Sequence, residues 1–126
     1  MYTVRVERTI SAAHALEISG TREPVHGHNW RVEVALTGAS LDRDGLLVDF
    51  HAMETALESV LAPFHNRNFN QVPPFDRINP TAELIAQFVA VTMGVKVPRG
   101  VRVHSTTVSE ALGCSATYVS PFSEAS

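Results

Sequence analysis

Hydrophobic and polar residues alternate twice in the first third of the chain. Tyr2, Val4 and Val6 alternate with Thr3, Arg5 and Glu7, and Trp30, Val32, Val34 and Leu36 alternate with Arg31, Glu33 and Ala35. A period of two predicts half-buried strands. Between them, residues 15–25 contain Gly20 and Pro24, which predicts a long hairpin loop and antiparallel pairing of the two strands. Residues 42–45 read as a turn, after which the period changes. Phe50, Met53, Leu57, Val60, Leu61 and Phe64 recur at helical spacing and predict a helix with one apolar face, closed near Pro63. Residues 65–78, rich in Asn and Pro and without a period, predict a loop. A second helix is expected to start at Asn79-Pro80, with Asn79 as the capping side chain. Its buried stripe would be Leu84, Phe88 and Val91, flanked by Ile85 and Val89, with Gly94 as the stop. Residues 101–110 and 115–120 predict two more strands joined around Gly113.

The order ββααββ predicts an α+β domain, a four-stranded antiparallel sheet with two helices on one face. A length of 126 residues fits one domain, 1–126, with no internal repeat. Such a sheet leaves two open edges, and pairing between subunits is one way to cover them.

Composition narrows the function classes. A hydrophobic share of 44% with 18% charged residues belongs to a globular chain rather than a disordered one. The net charge of -3, with no basic run, argues against nucleic acid as the main partner. No apolar stretch approaches the roughly 20 residues needed to span a bilayer. The N-terminus reads as a strand rather than a signal peptide, and the single Cys114 allows no intrachain disulfide, so a cytoplasmic location is expected. Simple packing is the expected role of Cys114.

His26 and His28 bracket Gly27 at the start of the second strand, so their side chains share a face. His14 ends the first strand across the hairpin loop, where antiparallel pairing would bring it beside them. Three imidazoles converging in this way suit zinc and leave a fourth position open to water or substrate. The competing reading is three unrelated surface or core histidines. His51, His65 and His104 have no such company and read as surface or polar-contact histidines.

Five further stretches extend the pattern: SAAHAL at 11–16, HGHNW at 26–30, LVDF at 47–50, NPTAE at 79–83, and V-S-E at 108–110 followed by Tyr118. Together, in this order and spacing over nearly the whole chain, they resemble the 6-pyruvoyltetrahydropterin synthase and 6-carboxytetrahydropterin synthase family. The resemblance implies a T-fold, in which ββααββ subunits trimerise into a barrel and two trimers stack into a homohexamer. It implies zinc held by His14, His26 and His28, a pterin ring anchored by Glu110, and a pterin contact from Thr81. Read without the resemblance, Glu110 is an ordinary solvated acid at a strand end.

The departures from that family's pattern fall on its reactive residues. Arg22 stands where most relatives carry a catalytic cysteine. The run FHNRNFN puts His65 and Asn66 where relatives carry an Asp-His pair, and an asparagine exchanges no proton near neutral pH. The ordinary synthase reaction is therefore expected to be absent. Glu23, three residues before HGH, matches a cysteine-less branch associated with side-chain cleavage of dihydroneopterin. Glu23 is thus a candidate acid/base, with His65 as a candidate proton shuttle. The expected function is a zinc-dependent carbon–carbon or carbon–oxygen lyase on a dihydropterin side chain. The alternatives are a non-catalytic pterin binder and a different reaction on a pterin-like heterocycle.

Overall fold

The computed structural model describes residues 1–121; residues 122–126, the last of the expected 1–126 domain, lie outside the described residues. In chain order the elements are β1 (Tyr2–His14), β2 (Glu17–Ile18), β3 (Thr21–Arg22), β4 (His26–Gly38), α1 (Phe50–Leu61), β5 (Arg67–Asn68), α2 (Ala82–Gly94), β6 (Val101–Ala111) and β7 (Cys114–Val119). The large sheet runs β5-β1-β4-β6-β7. All its ladders are antiparallel except the short β1–β5 bridge, where Ala12 and Ala13 pair with Arg67 and Asn68. The four expected strands are present. The fifth, two residues long, arises inside the stretch read as a loop, because that segment follows the otherwise open edge of β1. Nothing periodic can signal a strand that short.

One face of the sheet is apolar and covered by the helices. Val6, Ile10 and Ala12 of β1, Trp30, Val32, Val34 and Leu36 of β4, and Val103 and Val108 of β6 are buried there. α1 packs on β1, and α2 packs on β6 and β7. Each large side chain fully buried in this layer contributes about 1.5–3 kcal/mol. The other face is polar. It carries the exposed pairs Arg5–Glu33 at 3.8 Å and Arg31–Glu7 at 3.7 Å, which stabilise little in water.

The helices differ from expectation in detail. Asp49 caps α1 by accepting from the His51 and Ala52 amides, so Phe50 falls in the first turn and points outward, 46% exposed. The remaining expected residues of that stripe, Met53, Leu57, Val60, Leu61 and Phe64, are buried. In α2 the buried stripe is Ile85, Ala86, Val89, Ala90 and Met93, while Leu84 and Val91 are exposed. The face is turned from the expected one because alanines line it, where close packing against strands favours small side chains. The cap of α2 is Thr81, whose hydroxyl accepts from the Leu84 amide at 3.1 Å, and not Asn79. Cys114 is exposed rather than packed.

Asn79 has a different task. Its amide accepts from Glu17 N–H at 2.9 Å and donates to Glu17 O at 3.0 Å. Asn70 grips Ala15 in the same two-handed way, at 2.8 and 2.9 Å. The loop after β1 is thereby tied to the segment before α2, and within it β2 and β3 form a minute hairpin of their own. None of the helices in the described residues is long and apolar enough to cross a membrane.

Candidate metal centre

β1 and β4 pair in register to their ends, with His14 opposite His26 and Ala12 opposite His28. The side-chain period of two then decides the rest. His14 has the parity of Ile10 and Ala12, and His26 and His28 have the parity of Trp30 and Val32. All three imidazoles therefore continue the apolar face of the sheet beyond the last buried strand residues. Trp30 forms their floor, with its ring edge-on to His14 at 4.8 Å and to His28 at 5.2 Å, and its indole N–H donating to Ala12 O at 2.9 Å. His14 is buried, His28 half-buried and His26 exposed, so the cluster opens towards solvent on the His26 side.

The hydrogen bonds fix which nitrogens face inward. His14 Nδ1 lies 2.9 Å from Pro80 O, and His26 Nδ1 lies 3.0 Å from Pro24 O. A carbonyl oxygen only accepts, so both Nδ1 atoms carry the proton and both Nε2 atoms carry lone pairs. Those two Nε2 atoms are 3.1 Å apart. Two lone pairs at that distance are reconciled only by a cation, either a proton or a metal ion. Burial pushes the His14 imidazole below the usual histidine range, and neighbouring His26 and His28 push the same way. The Pro80 hydrogen bond and Glu110 oppose them without reversing the sign. A proton is therefore disfavoured on His14. The third nitrogen, His28 Nε2, is buried with no hydrogen-bond partner among the described residues. The ligand atoms of the three residues lie within 4.8 Å of one another. This donor set, three imidazoles of which two are held by carbonyls behind them, fits a divalent metal such as zinc.

Two carboxylates flank the cluster. Glu110 sits at the register shift of β6 between Ser109 and Ala111, just beyond the β4–β6 ladder, and its Oε2 lies 4.0 Å from His14 Nε2. Glu23 closes the loop after β1. Its backbone N–H donates to Leu16 O at 2.9 Å, its Oε1 accepts from Leu16 N–H at 3.0 Å, and Oε1 stands 3.8 Å from His26 Nδ1. Thr81, which caps α2, follows directly on Pro80, the residue that orients His14.

His65 is not drawn into this group. Its Nδ1 accepts from Ser11 N–H at 3.2 Å, and Asn66 N–H donates to Ser11 O at 2.6 Å. Asn66 adopts a left-handed backbone with φ 60, which turns the chain into β5. Arg22 is an exposed residue of β3. Sequence reasoning missed the two carbonyls behind the histidines and the clamping asparagines. Pro24 sits two residues from its histidine, but the Pro80 contact spans 66 residues and has no sequence signal.

The family model for 6-pyruvoyl tetrahydropterin synthase matches residues 3–121. An Archaeoglobus fulgidus protein named as a 6-carboxy-5,6,7,8-tetrahydropterin synthase is 29% identical over 68 residues, covering 54% of this chain and 58% of that protein. The chain spans less than two thirds of the length of the curated relatives it matches, at 58% and 59%. Among solved structures, 6-pyruvoyl tetrahydropterin synthase of Caenorhabditis elegans superposes with a TM-score of 0.80 at 23% identity, covering 96% of this chain and 98% of that one. A Plasmodium vivax 6-pyruvoyltetrahydropterin synthase, in a form with a catalytic glutamate changed to alanine, superposes with a TM-score of 0.75 at 19% identity, covering 93% and 96%. At these identities the structures report on the fold. The family match over residues 3–121 carries the assignment: the chain belongs to the 6-pyruvoyl tetrahydropterin synthase family.

Proposed function

We propose that the chain is a zinc-dependent lyase that cleaves the side chain of a dihydropterin and does not run the ordinary pyruvoyl- or carboxy-pterin synthase reaction. The observation that carries this reading is a cluster of three histidines flanked by two carboxylates from different elements, Glu110 at 4.0 Å from His14 and Glu23 at 3.8 Å from His26. Zinc held by His14, His26 and His28 would polarise the side-chain oxygens of a bound substrate. Glu110 accepts paired hydrogen bonds from the amino and ring N–H groups of the pterin. Thr81 uses its oxygen to cap α2, which leaves its hydroxyl proton to donate to the ring. Glu23 removes the proton from the hydroxyl on the second side-chain carbon. The bond between the first and second carbons breaks, its electron pair passes into the ring C6–N5 imine, and a proton returns to the first carbon. The products are an aldehyde and a 6-hydroxymethyl-dihydropterin. Arg22, His65 and Asn66, which stand at the family's reactive positions, supply neither thiolate nor Asp-His pair. The reading includes a homohexamer in the cytoplasm, with a small pterin and no nucleic acid or membrane as partner.

A second reading, a pterin binder without turnover, is favoured by one contact. The Glu23 carboxylate already accepts from Leu16 N–H and so has a structural task in closing its loop. Incubation with dihydroneopterin and with dihydroneopterin triphosphate, followed by product analysis, separates the two. Release of 6-hydroxymethyl-dihydropterin that disappears in Glu23→Gln is the expected result. Tight pterin binding without product supports the binder. Robust formation of a pyruvoyl- or carboxy-pterin would overturn both.

A further inference from the structure

The stretch Ala15, Leu16 and Glu17, which leaves β1, has its backbone engaged on both edges, and on one edge the partners are side chains. β2 and β3 pair through Ile18 with Thr21 and Glu17 with Arg22, so Leu16 and Glu23 form the next rung. Half of that rung is regular: Glu23 N–H donates to Leu16 O at 2.9 Å. The other half is not. Leu16 N–H, which a regular antiparallel rung aims at the opposite carbonyl, donates to the Glu23 side-chain Oε1 at 3.0 Å. That bond holds Oε1 at 3.8 Å from His26 Nδ1.

In an extended chain the backbone groups of successive residues point to opposite edges. Ala15 and Glu17 therefore present theirs away from Glu23, and two asparagines take them. Asn70 accepts from Ala15 N–H at 2.8 Å and donates to Ala15 O at 2.9 Å. Asn79 does the same for Glu17, at 2.9 and 3.0 Å. Each amide stands in for a peptide unit of a neighbouring strand, and the pair brackets the residue that holds the carboxylate. Both asparagines are fixed in turn from the side of the metal centre. Asn70 N–H donates to Asn68 Oδ1 at 2.9 Å, and Asn68 pairs with Ala13, next to His14. Asn79 is followed by Pro80, whose carbonyl lies 2.9 Å from His14 Nδ1. The segments that orient the buried histidine thus also locate Leu16.

We propose that Asn70 and Asn79 are positioning residues: by fixing the neighbours of Leu16 they hold the Glu23 carboxylate at a set place beside His26 and the metal centre. A clamp that only closed the loop could grip it anywhere along residues 15–25, whereas these two grip the residues on either side of Leu16. The catalytic consequence rests on the lyase reading; the placement of the carboxylate does not.

The test uses the intact, zinc-loaded protein. Asn70→Ala and Asn79→Ala are compared with the parent by zinc content, by hydrogen exchange at the Leu16 amide relative to that of buried Val34, and by kcat and KM for side-chain cleavage of dihydroneopterin. Both variants are expected to keep their zinc and to exchange the Leu16 amide about tenfold or more faster on that relative scale. Their kcat should fall about tenfold or more with KM within about twofold, because misplacing a reacting group costs turnover rather than binding. Glu23→Gln should cost less in an Asn79→Ala background than in the parent, since the carboxylate has already left its place. Asn79→Gln, which restores the amide at one carbon's remove, should recover part of the kcat. Unchanged relative exchange at Leu16 in both asparagine variants overturns the placement, whether or not the parent turns over. Turnover in the parent with additive losses, or with losses confined to KM or to zinc content, overturns the positioning role and leaves a plain loop clamp. A parent that releases no product refutes the lyase reading instead, and faster relative exchange at Leu16 in both variants then still upholds the placement.

Discussion

The two Nε2 atoms of His14 and His26 face each other at 3.1 Å because two proline carbonyls take the protons on the far side of each ring. His28 adds a third nitrogen with no other partner among the described residues. Replacing His28 with alanine should lower zinc affinity by more than the ~10–100-fold that loss of an outer hydrogen-bond partner costs, because a donor itself is removed. Elemental analysis after zinc refilling measures this, and a parent protein that stays metal-free would refute the centre. The alternation of HxH and the parity of His14 were readable in the chain. The proton positions were not, since they depend on Pro80, which approaches from the far side of the fold.

Among the elements, the loop after β1 depends most on distant residues. Asn79 supplies two hydrogen bonds to Glu17, so Asn79→Ala should cost about 1–3 kcal/mol and raise proteolysis within residues 15–25. Unchanged urea midpoint and cleavage would show that the clamp contributes nothing. Asn79 illustrates why helix starts were legible only approximately. An asparagine before proline reads as a cap by local chemistry, yet Thr81 takes that role and leaves Asn79 to reach across 62 residues. The α2 stripe was misread for a related reason. Leu84 and Val91 are more apolar than Ala86 and Ala90, but the helix turns its small residues to the sheet. Strands were read more securely, because a period of two leaves only one face to bury.

For the whole molecule, β7 is an edge strand, and among the described residues the outer edge of β1 is covered along residues 11–13 by the 65–68 segment. Backbone donors and acceptors along these edges are expected to pair between subunits. The expected mass by light scattering is six times the chain mass of 13.7 kDa, and a stable 13.7 kDa species would refute the hexamer. Stability should also follow pH in a defined direction. The folded His14 has a pKa below its unfolded value near 6.5, so its neutral form is present in both states above that pH and stability is full there. As pH falls below about 6.5 the unfolded chain takes up a proton that the folded chain resists, and stability falls by at most about 1.4 kcal/mol per pH unit from this group. Urea unfolding of chelated protein measures the slope, and subtracting the His14→Gln profile isolates the His14 part. A stability that rises on acidification through this window in the parent alone would contradict the assignment.

The amino-acid order by itself determined the strand periods, the two helices, and the face to which His14, His26 and His28 turn, because each of these follows from spacing within one element or across one hairpin. Tertiary structure alone decided what stands behind those histidines and beside them. Pro80, Asn70 and Asn79 arrive from remote parts of the chain, and no local period encodes such an approach; Glu110 is named by the resemblance, and the fold supplies its 4.0 Å approach to His14. The histidine trio could be read from its residues; the lone pairs that let it hold a metal ion come from the fold.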